Sequence, residues 1–117
     1  MTRAIIRFAT REEGVSFSEH PKKWHAQLYR QNDGYPEGSG LDIADSIINS
    51  YTISNLEIDS LDTKRDGLNY IYYIWQSYNK STWISIFKVD GIGFFDNYKD
   101  ECIFVGTPAD LQSKYEH

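Results

Sequence analysis

The sequence predicts an α+β fold: an antiparallel sheet of about five strands with two helices packed on it, in the order β-β-α-(β)-β-β-β-α. Three observations predict it. Near the N-terminus short runs alternate apolar and polar residues with a period of two. Two runs dense in aromatic and β-branched residues stand close together between residues 70 and 87, and only two segments carry helical periodicity or helix-start chemistry. At 117 residues the chain has the length of one domain, 1–117, built on one core.

Ala4, Ile6 and Phe8 alternate with Arg3, Ile5 and Arg7, so a first strand with one buried face is expected over about residues 3–9. Thr10 to Lys23 is polar, contains Glu12-Glu13-Gly14 and His20-Pro21, and reads as a long loop, a length that in small domains goes with function or mobility. Trp24, Ala26 and Leu28 then alternate with His25, Gln27 and Tyr29 in a second strand, expected antiparallel to the first. The run Gln31 to Gly40 is the strongest punctuation in the chain. Gly34 admits positive φ, Pro36 holds Tyr35 extended, and Gly38 and Gly40 permit another sharp turn. A helix comes next, with Leu41, Ala44, Ile47, Ile48 and Tyr51 on one stripe and Asp42, Asp45, Ser46 and Asn49 facing water. Ser39, three residues before Asp42, fits a capping box.

Leu56 and Ile58 alternate with acids and fit a short strand, and Asp62 to Gly67 is a polar connection. Tyr70–Trp75 and Thr82–Phe87 read as a hairpin whose two faces both carry large side chains, which places it in the middle of the sheet. Asp90-Gly91-Ile92-Gly93 reads as a flexible turn and Cys102–Val105 as the last strand. Thr107 as N-cap, Pro108 at the first helical position and Asp110 three residues past the cap start a terminal helix.

Composition narrows the function classes. Hydrophobic residues at 40% and aromatics at 15% supply enough apolar surface to offset chain entropy, so disorder is excluded as a description of the whole chain. No apolar run approaches the roughly 20 residues of a membrane span, and the N-terminus lacks the apolar stretch of a signal peptide; a cytoplasmic protein is expected. The single Cys102 sits in the apolar run Cys102-Ile103-Phe104-Val105 and reads as a buried strand residue. Net charge is -5, and residues 31–63 hold seven acids with no Lys or Arg. That distribution argues against direct nucleic-acid binding, which needs phosphate-neutralising cations, and favours contact with a basic partner surface.

The bend before the first helix is the candidate site: Tyr29, Arg30, Asp33, Gly34, Tyr35, Glu37, Gly38, Gly40, Asp42 and Asp45. Glycines before a helix N-terminus can offer N–H groups to a phosphate or carboxylate, although Asp33, Glu37 and Asp42 repel one and no phosphate-loop Lys is present. Tyr29 and Tyr35 flank the bend and are expected at least partly exposed. His20 and His25 lie five apart across Pro21, a spacing that fits no common metal-ligand pattern, so neither a metal nor another cofactor is expected. No nucleophile-elbow or Cys-His signature is present, and the chain reads as a binding protein more readily than as an enzyme. Trp24, Tyr29, Tyr35, Tyr72, Tyr73, Trp75 and Trp83 fit either a base-stacking platform or, more simply, sheet core and cover.

The spacing Tyr29-x-x-x-Asp33-Gly34-Tyr35-Pro36-x-Gly38-x-Gly40, with an Arg-bearing strand before it and an aromatic hairpin after it, resembles small uncharacterised proteins encoded by bacteriophages and prophages. The resemblance is specific over about residues 3–51 and carries no catalytic residues. It implies a mobile-element accessory protein that blocks a host defence system, in the manner of an anti-CRISPR protein. Two further readings stand beside it: a small nucleotide-type ligand bound, sequestered or cleaved at the Asp33–Gly40 turn, and a homodimeric interaction module.

Overall fold

The computed structural model describes residues 1–76, 81–90 and 99–116. Its strands are β1 (Ala4–Thr10), β2 (Ala26–Arg30), β3 (Glu57–Asp59), β4 (Tyr70–Gln76), β5 (Thr82–Val89) and β6 (Asp100–Gly106), and its helices are α1 (Leu41–Asn49) and α2 (Pro108–Tyr115). A π-helical turn, Pro36–Gly40, runs directly into α1. The chain order of strands and helices is the expected one, and the short strand at Ile58 is present. The expected turn at residues 91–93 lies outside the described residues.

The strands form one sheet of six, in the order β3-β2-β1-β4-β5-β6. All neighbours are antiparallel except β1 and β4, which run parallel with Ile5 opposite Ile71 and Arg7 opposite Tyr73. The sheet is therefore mixed, with six strands, which corrects the expected antiparallel sheet of about five. The reason is the path of residues 60–69, which leave the edge strand β3 and re-enter beside β1, where Asn69 N–H donates to Arg3 O at 2.9 Å. A return of that kind brings the chain back in the same direction and requires a crossover. The β4–β5 hairpin is interior, as its two-sided apolar pattern predicts, and β3 and β6 are the edges.

Alternation sends side chains to two faces with different cover. On one face Ala4, Ile6, Tyr72, Ile74, Ile84 and Ile86 pack against Ile43 and Ala44 of α1 and Leu111 of α2. On the other face Ile5, Ala9, Ile71, Tyr73, Trp75 and Phe87 lie under the segment between β1 and β2, with Val15, Phe17 and Trp24 packed on them. No helix covers this second face among the described residues. The segment read from sequence as a polar loop is thus a strap, fastened by its few apolar side chains.

Two helix details correct the sequence reading. The buried face of α1 is Ile43 and Ala44, with Leu41 and Ile47 packed beside them, while Ile48 is exposed and Tyr51 lies beyond the helix. Ser50 in the left-handed conformation, φ 59°, ends the helix there. Ser39 caps nothing, because the π turn delivers the chain into α1 already helical and Gly40 takes the N-cap position. At α2 the capping box forms as expected: Thr107 Oγ1 accepts from Asp110 N–H at 3.2 Å and Thr107 N–H donates to Asp110 Oδ2 at 3.0 Å.

Candidate functional site

The backbone of the bend between β2 and α1 is bonded on both sides. Gly34 N–H donates to Thr2 O at 2.9 Å, and Gly34 O accepts the buried Tyr72 hydroxyl at 2.6 Å. Ser39 N–H donates to Asp33 O at 2.8 Å, Gly38 N–H to Tyr35 O at 2.9 Å, and the amide of Leu41 to Gly38 O and Pro36 O. Ser39 Oγ also donates to Asp33 O at 2.6 Å and accepts from Arg30 Nη1 at 3.2 Å. The glycines serve close approach. A Cβ at Gly38 would stand 2.6 Å from Asp33 O, and one at Gly34 would stand 2.9 Å from both Arg3 C and Thr2 O. Asp33, at φ 59°, supplies the one left-handed step of the bend, which Asp tolerates better than most residues.

These bonds settle what the bend presents. The amides that a phosphate would need at Gly34, Gly38, Ser39 and Leu41 are already spent inside the bend. Gly34 and Gly40 are buried, the latter against Leu111, Pro36 and Tyr72. Arg30, 7% exposed, is an internal counter-ion whose Nη1 lies 2.6 Å from Asp42 Oδ2. Tyr29 corrects its expected exposure. It is 7% exposed and points to the strap face, where the Arg65 guanidinium stacks 3.8 Å from its ring centre. Tyr29 sits one residue from Arg30 on a strand, so the two point to opposite faces and cannot serve one ligand.

What remains at the surface is acidic and tyrosine-rich. Asp33, Tyr35 and Glu37 are exposed, and Tyr35 hydroxyl reaches Asp33 Oδ1 at 3.3 Å. The Asp33 charge raises the Tyr35 hydroxyl above its ordinary value, with Glu37 adding to it. Burial, reinforced by the nearby Glu37 carboxylate, raises Tyr70 and Tyr115 in the same way. Glu37 thus sits among tyrosines from the bend, β4 and α2. Neither Asp33 nor Glu37 has a cationic partner among the described residues. Asp45 lies on the same helix as Asp42, half-buried, accepting from Asn49 Nδ2 at 2.6 Å.

The seven acids of residues 31–63 do not form one surface, contrary to the expectation of a single acidic block. Asp42 pairs with Arg30, Asp59 and Glu57 pair with Arg65 at 2.5 and 3.1 Å, and Asp62 lines a cleft on the strap side. At the bend and the helix after it, Asp33, Glu37 and Asp45 are the carboxylates that carry charge outward with no cationic partner among the described residues. The arginines that flank the segment, Arg30 just before it and Arg65 just after it, neutralise three of its acids.

On the strap face a polar row crosses the sheet that no sequence motif announced. Asp100 Oδ2 accepts from His20 Nε2 at 2.8 Å, and His20 Nδ1 lies 2.7 Å from Tyr73 hydroxyl. Arg7 Nη1 donates to that hydroxyl at 3.0 Å while its Nε donates to Gln27 Oε1 at 2.9 Å. Gln27 Nε2 donates to Asp59 Oδ2 at 2.9 Å. The signal that could have revealed the row is the parity of β1, since Arg7 shares a face with Ile5 and Ala9 and therefore points where apolar residues are buried. His20 also stacks on Phe87, with ring centres 4.1 Å apart. His25 is exposed, and among the described residues no three His, Cys, Asp or Glu side chains converge to hold a metal. Tyr72, Tyr73 and Trp75 are enclosed core residues and so offer no stacking platform.

No protein-family model, curated protein sequence or solved structure matches the chain.

Proposed function

We propose that the protein is a phage-type accessory factor that binds a basic surface on a host defence protein through the acidic, tyrosine-rich end of the molecule. The observation that carries the reading is the exposed set Asp33, Tyr35 and Glu37, displayed by a bend whose backbone is committed to internal bonds. A fixed backbone lowers the ordering cost of association, tyrosines are favoured at interface centres, and unpaired carboxylates steer a basic partner. The contact set is Asp33, Tyr35, Glu37 and Asp45, with Arg30, Gly34, Gly38, Gly40 and Asp42 acting as scaffold. The resemblance of residues 3–51 to small phage proteins supports the choice of a host target. A nucleotide in the same bend is the less favoured reading, because the amides of Gly34, Gly38, Ser39 and Leu41 are bonded internally and Tyr29 faces the strap side.

The test compares the native chain with the triple variant Asp33→Asn, Glu37→Lys, Asp45→Lys as bait in a bacterial host lysate, with captured proteins identified by mass spectrometry. Asn at position 33 keeps the left-handed step. A specific partner should be captured by the native chain, lost from the variant, and weakened as salt rises from about 0.05 to about 0.3 M, enough to screen exposed charges. Capture that survives both the variant and the salt refutes the reading.

A further inference from the structure

Four of the chain's twelve basic residues meet on the strap side of the sheet, away from the acidic bend. A cleft of about 400 Å³ opens between the end of the strap and the β3–β4 connection, lined by Arg7, Lys22, Lys23, Trp24, Leu61 and Lys64. Among the described residues Asp62 is the one carboxylate in its wall, beside the cationic side chains of Arg7, Lys22, Lys23 and Lys64. In a protein of net charge -5 that local excess runs against the whole. The neighbouring cleft, which shares Lys23 and Trp24, carries Glu12 and Glu13 in its wall and is a poorer anion site for that reason.

Arg7 distinguishes the cleft from a chance cluster of lysines. Its guanidinium is fixed by three neutral groups: Gln27 Oε1 at 2.9 Å, Tyr73 hydroxyl at 3.0 Å and the Trp24 ring, 3.7 Å from its centre. No carboxylate pairs with it among the described residues, and its Nη2 donates to none of the groups that hold the rest of the side chain. A half-buried cation that is oriented yet uncompensated is ready to receive an anion with little reorganisation. Lys22 and Lys64 are exposed at the rim, and Lys23 lies 3.9 Å from Glu12. Trp24 Nε1 is enclosed with no acceptor among the described residues, a second unspent donor in the same wall. Trp24 and Leu61 add apolar surface, so the cleft suits an anionic group attached to an apolar or aromatic body. Its size fits a small molecule, and the overall negative charge opposes a polyanion.

We infer that this cleft binds a small phosphomonoester, its phosphoryl group on Arg7 and the lysine rim and its organic body against Trp24 and Leu61. The inference is independent of the acidic bend, which lies elsewhere on the molecule.

Titration calorimetry with adenosine 5′-monophosphate as probe, beside inorganic phosphate, adenosine and a mixed-sequence oligonucleotide, tests it. The monophosphate should bind one to one and about tenfold more tightly than inorganic phosphate, adenosine should give no heat, and binding should weaken with salt. In a nitrogen–proton correlation spectrum the Trp24 indole resonance should move on titration. The indole of Trp75, bonded to Ser85 Oγ at 2.7 Å, should stay fixed. Arg7→Gln should weaken binding about tenfold, the scale of a lost charge-assisted bond. The exposed Lys22→Gln, Lys64→Gln double variant, which leaves the core untouched, should do the same. The inference is overturned by silence toward the monophosphate at about 10 mM, a concentration that would reveal even weak affinity. Equal binding of adenosine, indifference to the lysine variant, or tighter binding of the oligonucleotide would overturn it as well.

Discussion

The strap at residues 11–25, which joins β1 to β2, and the bend at residues 33–40, which joins β2 to α1, are held by opposite means. The bend is fixed through its backbone: the carbonyls of Asp33 and Tyr35 and both the amide and the carbonyl of Gly34 and Gly38 are paired, and two glycines permit contacts that a methyl group would forbid. The strap is fixed through its side chains. Phe17 stacks on Trp83 at 5.1 Å and meets the edge of Trp75 at 5.5 Å, its carbonyl accepts from Ser85 Oγ, and His20 lies on Phe87. The backbone of the strap makes few bonds to the sheet, among them Arg11 N–H to Gln76 O at its start and His25 N–H to Phe8 O at its end. A backbone-locked element should open only with the whole molecule, and a side-chain-pinned one can lift locally.

The largest expected effect breaks the bend. Gly38→Ala drives a methyl group to within 2.6 Å of Asp33 O, and because the obstacle is backbone it cannot rotate away. The variant should lose about 3 kcal/mol of stability, the upper range for forced overpacking. Urea unfolding monitored by circular dichroism measures it, and a loss under about 1 kcal/mol would mean that the bend yields more easily than its bonds imply.

Phe17→Ala unpins the strap at its centre. Phe17 is half-buried, so the loss should be about 2 kcal/mol, below that of a fully enclosed aromatic. The sharper readout is hydrogen exchange. Amides of β5, bonded to β4 and β6 within the sheet, should keep their protection in the variant while residues 11–25 exchange faster, whereas Gly38→Ala should accelerate the whole sheet together. Uniform acceleration in both variants would abolish the distinction between the two regions.

The sequence showed one of these regions and hid the other for a physical reason. The bend is built from residues whose backbone preferences are local, so Asp33, Gly34, Pro36 and Gly38 announce a turn wherever they occur. The strap depends on where a few side chains land across a sheet that does not exist until residues 70–89 fold, and Val15 and Phe17 are too sparse to set a period. The same holds for charge. The acids of residues 31–63 are visible as a run, but the arginines that neutralise three of them, Arg30 and Arg65, stand just outside it, and their pairing depends on how the β2–α1 bend and the turn after β3 fold back. The parallel pairing of β1 with β4 was hidden too, because the crossover through residues 60–69 is an irregular segment with no helix to mark it. Strand runs, both helices and the Thr107 capping box were legible because each rests on neighbours within a few residues.

The smallest effect compares a wired carboxylate with an open one. Asp59, with a side chain only 3% exposed, is penalised by burial, but hydrogen bonds from Arg65 and Gln27 outweigh that penalty and hold its carboxyl below the ordinary 3.8. A depressed value in the folded state means that ionised Asp59 stabilises the fold above the ordinary carboxylate range, and that this contribution is lost as pH falls through the folded value. Asp59→Asn should therefore cost about 1–2 kcal/mol near neutral pH, the scale of a partly exposed charge-assisted network. The gap from the native chain should narrow as pH drops below 3.8. Glu37→Gln, which removes an exposed carboxylate with no cationic partner among the described residues, should change stability by less than about 0.5 kcal/mol at any pH. Thermal melts of the three proteins from about pH 2.5 to about pH 7, which spans the carboxylate range, separate the cases. An Asp59→Asn gap that stays constant with pH would show that the side chain acts through packing, and its ion pair with Arg65 would then contribute nothing to folding.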